Sequence, residues 1–238
     1  MSRRLLAKMT RSKGFRTIVI CANALIIVIA LLIGALNGKP GVAFKEGELV
    51  TYFSSLQLGM CSVVSGLNFF LVFLSEKKWS RECLFWAVLV GGFAFGALDE
   101  LLMFHERIDK GIHSILSLKQ NAWTDRFDDL IVGLYVGLGA WFILVVAKVE
   151  SFLGRPKRLV VGGLAVAVVM VGLDLLTNGR AFVTWLFGPE LGIFLRIWFS
   201  ILEDCLKLVA VAMFLIGLVQ NADLLSSSSR LASLGDEN

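Results

Sequence analysis

The stretch Cys83–Asp109, CLFWAVLVGGFAFGALDELLMFHERID, joins an uncharged run, Cys83 to Leu98, to a segment carrying Asp99, Glu100, His105, Glu106, Arg107 and Asp109. An apolar run of this kind predicts a membrane-crossing helix, because a bilayer core about 30 Å thick takes about 20 residues at 1.5 Å each. Charges at its end are hard to explain by packing, so they mark where ion binding or chemistry is expected. On one continuous helix Asp99 and Glu106 share a face seven residues apart. Asp109 follows a turn later, with His105 four residues before it. The expectation is an acidic stripe flanked by an imidazole.

Composition extends this reading to the whole chain. Its 238 residues are 57% hydrophobic, far above the roughly 45–50% of soluble chains. Mean hydropathy is +0.78. Six apolar segments are of crossing length: Thr17–Leu36, Val50–Leu74, Cys83–Leu102, Leu130–Val149, Leu159–Leu176 and Ile201–Val219. The predicted fold is all-α, a polytopic bundle of six transmembrane helices, because lipid demands that every crossing backbone group be paired internally. A basic leader (1–16), the transmembrane domain (17–221) and a disordered serine-rich tail (222–238) are the expected divisions.

The net charge of +4 does not suggest nucleic acid, because the basic residues gather at Arg3–Arg16, Lys77–Arg81 and Lys148–Arg158. With these on the cytoplasmic side, the positive-inside rule gives a chain with both ends inside, in the inner membrane. Gly179–Ile197, with Trp185 and Arg196, reads as a short interfacial helix before the last span. The first apolar run has no small-residue cleavage site and is expected to be retained. Cys21, Cys61, Cys83 and Cys205 have no paired spacing and are expected as buried thiols. Small and weakly polar residues in the second span (Ser54, Ser55, Gln57, Ser62, Ser65, Asn68) predict close helix packing rather than a polar pathway. Gly91, Gly92 and Gly96 are expected to admit a neighbouring helix.

Asp99, Asp129, Asp174 and Asp204 each lie about 16–19 residues from the inner end of their span, about 24–29 Å along a helix. The acidic groups are therefore expected in one layer at the periplasmic boundary. Carboxylates outnumber cations there, and such excess invites a bound cation or a raised carboxylate pKa. The expected ligands of a divalent metal ion are Asp99, Glu100, His105, Glu106 and Asp109, with Glu203 or Asp204 from the last span. A metal-dependent enzyme acting on a membrane-associated substrate is one extension of this reading. Paired charges that only fix helix register, such as Glu203 with Lys207, are the bland alternative. A non-catalytic subunit or assembly factor of a larger membrane complex is the alternative function. Membrane lipids, and membrane proteins under that second reading, are the expected partners.

The motif Leu98-Asp99-Glu100-x4-His105-Glu106 resembles that of a widespread group of uncharacterised bacterial multi-pass membrane proteins. Two further elements agree in order: Glu46-Gly47-Glu48-Leu49-Val50-Thr51-Tyr52 before the second span and Leu202-Glu203-Asp204-Cys205-Leu206 in the last. The resemblance implies a small inner-membrane helical protein in which Asp99, Glu100, His105, Glu106, Glu203 and Asp204 form one site. This chain departs from the pattern where Asp204 stands in place of a second Glu and Lys207 follows.

Overall fold

The computed structural model describes residues 13–76, 78–115, 127–146, 156–177 and 180–235, and every regular element among them is helical. In chain order these are α1 (Lys13–Leu36), a 3-10 turn (Val42–Phe44), α2 (Leu49–Glu76), α3 (Arg81–Leu102), α4 (Phe104–Ile115) and α5 (Phe127–Trp141). A π turn (Phe142–Val146), α6 (Lys157–Thr177), α7 (Arg180–Phe187) and α8 (Pro189–Gly235) follow.

Four segments are long and apolar enough to cross a membrane: Gly14–Leu36, Val42–Glu76, Arg81–Leu102 and Lys157–Leu175. The other two expected spans take different forms. Among the described residues the fourth is a shorter apolar helix, Leu130–Val145. Its expected end at Val149 lies outside those residues. The last is the middle of a 47-residue helix, α8, which runs on through Ser226–Ser229 to Gly235, where composition alone suggested an unstructured end. The interfacial helix expected over Gly179–Ile197 is divided. Gly188, at φ +79°, ends α7, and Pro189 begins α8 at the first helical position, where its missing N–H costs nothing. Gly192 lets the two helices fold together, since a Cβ there would lie 2.6 Å from Thr184 Cα.

α8 is the central element, packed against α1, α2, α6 and α7, and α2 also packs along α3. Two sets of hydrogen bonds fix the directions. Ser55 Oγ donates to Ala97 O and Ser62 Oγ to Val90 O, each at 2.8–2.9 Å, so α2 and α3 are antiparallel. Cys61 Sγ approaches Val211 O at 3.8 Å and Asn68 Nδ2 donates to Leu218 O at 3.1 Å, so α2 and α8 run parallel with an offset of 150 residues. The polar residues of the second span are thus largely consumed in helix-to-helix bonds, as the packing reading expected.

The larger buried cluster contains Phe85, Trp86, Cys61, Val160, Leu215 and Leu218, and the smaller one contains Ala30, Phe44, Val50, Ile201 and Leu208. α6 approaches α8 closely at Gly163, where a Cβ would lie 3.0 Å from Ala210 O. The glycines of α3 behave differently from expectation: Gly96 faces Leu58, but Gly91 and Gly92 border open space. Cys61 and Cys83 are buried as expected, Cys205 is half-buried, and Cys21 is exposed on the outward face of α1.

Candidate charged site at one end of the bundle

The motif of α3 and α4 does not lie on one helix. Met103 stands at φ +51°, in the left-handed region, and its N–H donates to Asp99 O at 2.7 Å, which ends α3. α4 begins at the next residue in a new direction. The seven-residue stripe joining Asp99 to Glu106 is therefore broken, because one left-handed residue interrupts the rotation of 100° per residue on which the stripe depends.

The turn creates a different constellation. Asp99 Oδ1 accepts the backbone N–H of His105 at 3.0 Å, satisfying one of the orphan donors at the start of α4. Asp99 Oδ2 lies 3.0 Å from His105 Nδ1. The other ring nitrogen, Nε2, lies 3.2 Å from Glu46 Oε1. A carboxylate at each ring nitrogen favours the doubly protonated imidazolium. The hydrogen bond to Asp99, then that to Glu46, push the His105 pKa up to about 10 against the opposing effect of burial. Glu46 is brought there by a turn at Gly47, φ +75°, where a Cβ would sit 3.4 Å from Met103 Cε. The turn is held by Thr51 Oγ1, which donates to Lys45 O at 3.2 Å.

A second cluster lies on the α8 side. Lys207 Nζ is 2.6 Å from Glu100 Oε1 and 2.9 Å from Asp204 Oδ1, and Ser54 Oγ donates to Glu100 Oε1 at 2.8 Å. Three helices, α2, α3 and α8, are pinned at this point. Neighbouring residues of α3 thus serve different partners, Asp99 the outer turn and Glu100 the last helix.

The remaining candidates pair locally. Glu106 forms an ion pair with Lys110. A hydrogen bond shared with Glu46, then that ammonium, hold its carboxyl down to about 2. His113 Nδ1 lies 3.0 Å from Asp109 Oδ1, one turn along α4. Glu203 is half-buried. Of the wider acidic layer, Asp174 is half-buried, and the side chain of Asp129 lies outside the described residues.

The seven residues expected to share one metal ion, Asp99, Glu100, His105, Glu106, Asp109, Glu203 and Asp204, are therefore not gathered around one point. Among the described residues no group of three or more His, Cys, Asp or Glu side chains is disposed to hold a metal ion. Two local features accompany this: Lys207 stands between Glu100 and Asp204, and the turn at Met103 separates Asp99 from Glu106. Sequence reasoning noted Glu46 as a lead-in without placing it at His105, and it assigned Ser54 to packing. The order of the three acidic elements in the chain was the available signal for Glu46.

The fold and site define a helical membrane-type bundle that carries a set of ion pairs at one end. The chain belongs to the family described as Domain of unknown function (DUF8692), which it matches over residues 15–221. No curated protein and no solved structure matches it.

Proposed function

We propose that the chain is a six-span inner-membrane protein with its basic segments on the cytoplasmic side, and that its charged outer layer is a non-catalytic clamp. The protein itself then serves as a subunit or assembly factor of a larger membrane complex. One observation carries this reading: Glu100, Asp204 and Asp99 are each already in an ion pair with a cation of the chain, Lys207 shared by the first two and His105 by Asp99 and Glu46. A buried ion pair of this kind is weak evidence for net stability but well suited to fixing register. The Leu-Asp-Glu-x4-His-Glu pattern then acquires a structural reason. Its first acid builds the outer turn, its second holds the last helix, and its His joins the turn to the lead-in of α2.

A second reading is favoured by Asp99 and Glu46 at the two ring nitrogens of His105, with Glu106 hydrogen-bonded to Glu46 beside them. A divalent cation would bind there in competition with the proton of His105, and its affinity would rise with pH. One preparation separates the two. Detergent-purified protein, wild type and Glu106→Gln, is taken from its native membrane at pH 6 and pH 9 and analysed for bound metal and for stoichiometric partners. Partners that remain in both forms, with no metal at either pH, are the expected result. Near-stoichiometric metal at pH 9, lost in His105→Ala, would replace the clamp with the cation site.

A further inference from the structure

The hairpin that α6 and α7 make with α8 reaches well past the ion pairs. A Cβ on Gly217 would meet Val160, one on Gly163 would meet Ala210 O, and one on Gly192 would meet Thr184, so α6 and then α7 run the opposite way along α8. From Gly217 to Gly192 this contact covers about 37 Å at 1.5 Å per residue. Asp204 shares Lys207 with Glu100 of α3 and so marks the level of the charges on α8. Pro189 lies about 22 Å farther along that helix.

The projecting tip is apolar in every direction. Residues 181–195 hold a single charge, Glu190, in the first turn of α8. Successive helical residues point about 100° apart. Gly192 is buried against α7, while Leu191, Ile193 and Phe194 are 50%, 59% and 56% exposed and cover the other directions. Trp185, Leu186 and Phe187 are exposed in the same way on α7. A helix that is apolar all round is one that its surroundings enclose.

We infer that this tip is a plug held in an apolar socket of a different protein, an inference that rests on the membrane-spanning, subunit reading above. Lipid does not fit as the enclosing phase. The hydrocarbon is about 30 Å thick, and α3 already matches it, since Arg81 and Asp99 near its two ends stand about 27 Å apart. α2, α3 and α8 share one axis direction. Leaning the bundle far enough to submerge the tip would therefore draw the charges of α3 into the hydrocarbon, which is costly. A second copy in the same bilayer fits no better. It has the same orientation, which sets Glu190 level with Glu190 and Arg196 level with Arg196, so no opposite charges pair. The six exposed side chains of the tip offer roughly 700 Å², against about 800 Å² per partner in a standard interface. The matching socket is lined by aliphatic and aromatic groups and carries a basic group to meet Glu190.

Two measurements on the full chain test this. In liposomes, nitroxides attached to Trp185→Cys and Phe194→Cys in a cysteine-free background should be broadened by a water-soluble nickel chelate. Broadening by oxygen alone would place the tip in lipid and overturn the inference. In detergent extracts of native membranes, the wild type should migrate on a native gel with a different protein. Trp185→Asp combined with Phe194→Asp should reduce that assembly at least tenfold while the melting temperature stays unchanged, because both side chains are exposed. Leu32→Ala, on the exposed face of α1, should keep it. An assembly retained by the double variant would leave the subunit reading standing and overturn the plug. A wild type that migrates alone, or only with copies of itself, would overturn both.

Discussion

His105 is the residue whose protonation the site controls most directly. Its pKa in the folded protein, about 10, lies above the ordinary 6.5, so the folded state holds the proton more tightly than the unfolded chain. The associated stability is complete below pH 6.5 and disappears as pH rises through about 10. Thermal unfolding in detergent should therefore show a falling midpoint across that window, and His105→Ala should lack that contribution. At pH 6 the same variant should lose about 1.5–3 kcal/mol, the usual worth of hydrogen bonds to charged groups. Lys207 is the counterpart inside the bundle. Lys207→Met leaves Glu100 and Asp204 facing each other without a cation, and a loss of about 3–5 kcal/mol is expected in denaturant titration. Lys207→Met combined with Glu100→Gln and Asp204→Asn should recover much of that loss, because the uncompensated charges are then gone.

At the level of elements, the outer corner between α3 and α4 depends on two left-handed residues, Met103 and Gly47. Gly47→Ala should cost about 1–2 kcal/mol, since an L residue is strained at φ +75° and its methyl meets Met103. Met103→Val should cost a similar amount, because a β-branched residue tolerates the left-handed region poorly. Differential scanning of the two variants beside wild type checks both. The same corner explains where sequence reasoning failed. Nothing in Leu102-Met103-Phe104 signals a helix stop: no Gly, Asn or Pro is present, and both flanks are apolar. The break is enforced by tertiary partners, with Asp99 accepting from His105 and Glu46 waiting on the far side. The sequence pattern singled out these residues but assumed a continuous helix, so it joined Asp99 to Glu106 rather than to His105. At the same end of the bundle, Gly192→Ala should cost about 1–3 kcal/mol through overpacking, because its Cβ meets backbone of α7.

For the whole molecule, the proposed topology places Lys78 and Lys110 on opposite sides of the membrane. In a cysteine-free background, a membrane-impermeant maleimide added to sealed spheroplasts should label Lys110→Cys and spare Lys78→Cys. Equal labelling would contradict the arrangement. Helical character was legible over the apolar runs, because runs of about 20 residues admit few other readings, but not over Ser226–Gly235, where α8 continues through a serine-rich segment. The central position of α8 was not legible, because its charges and its length disguise the last apolar run. The convergence of Glu46, the α3–α4 motif and Asp204 could be anticipated only as a layer, since partner choice depends on rotations that spacing does not encode. The pairing of Glu100 with Lys207 also bears on how the protein is made. Translation delivers Glu100 long before Lys207, so the nascent α2–α3 hairpin meets the lipid with an acid shielded only by Ser54. Until the last helix arrives, that hairpin is an unfinished product, and synthesis halted before Lys207 should leave it exposed to membrane quality-control proteolysis.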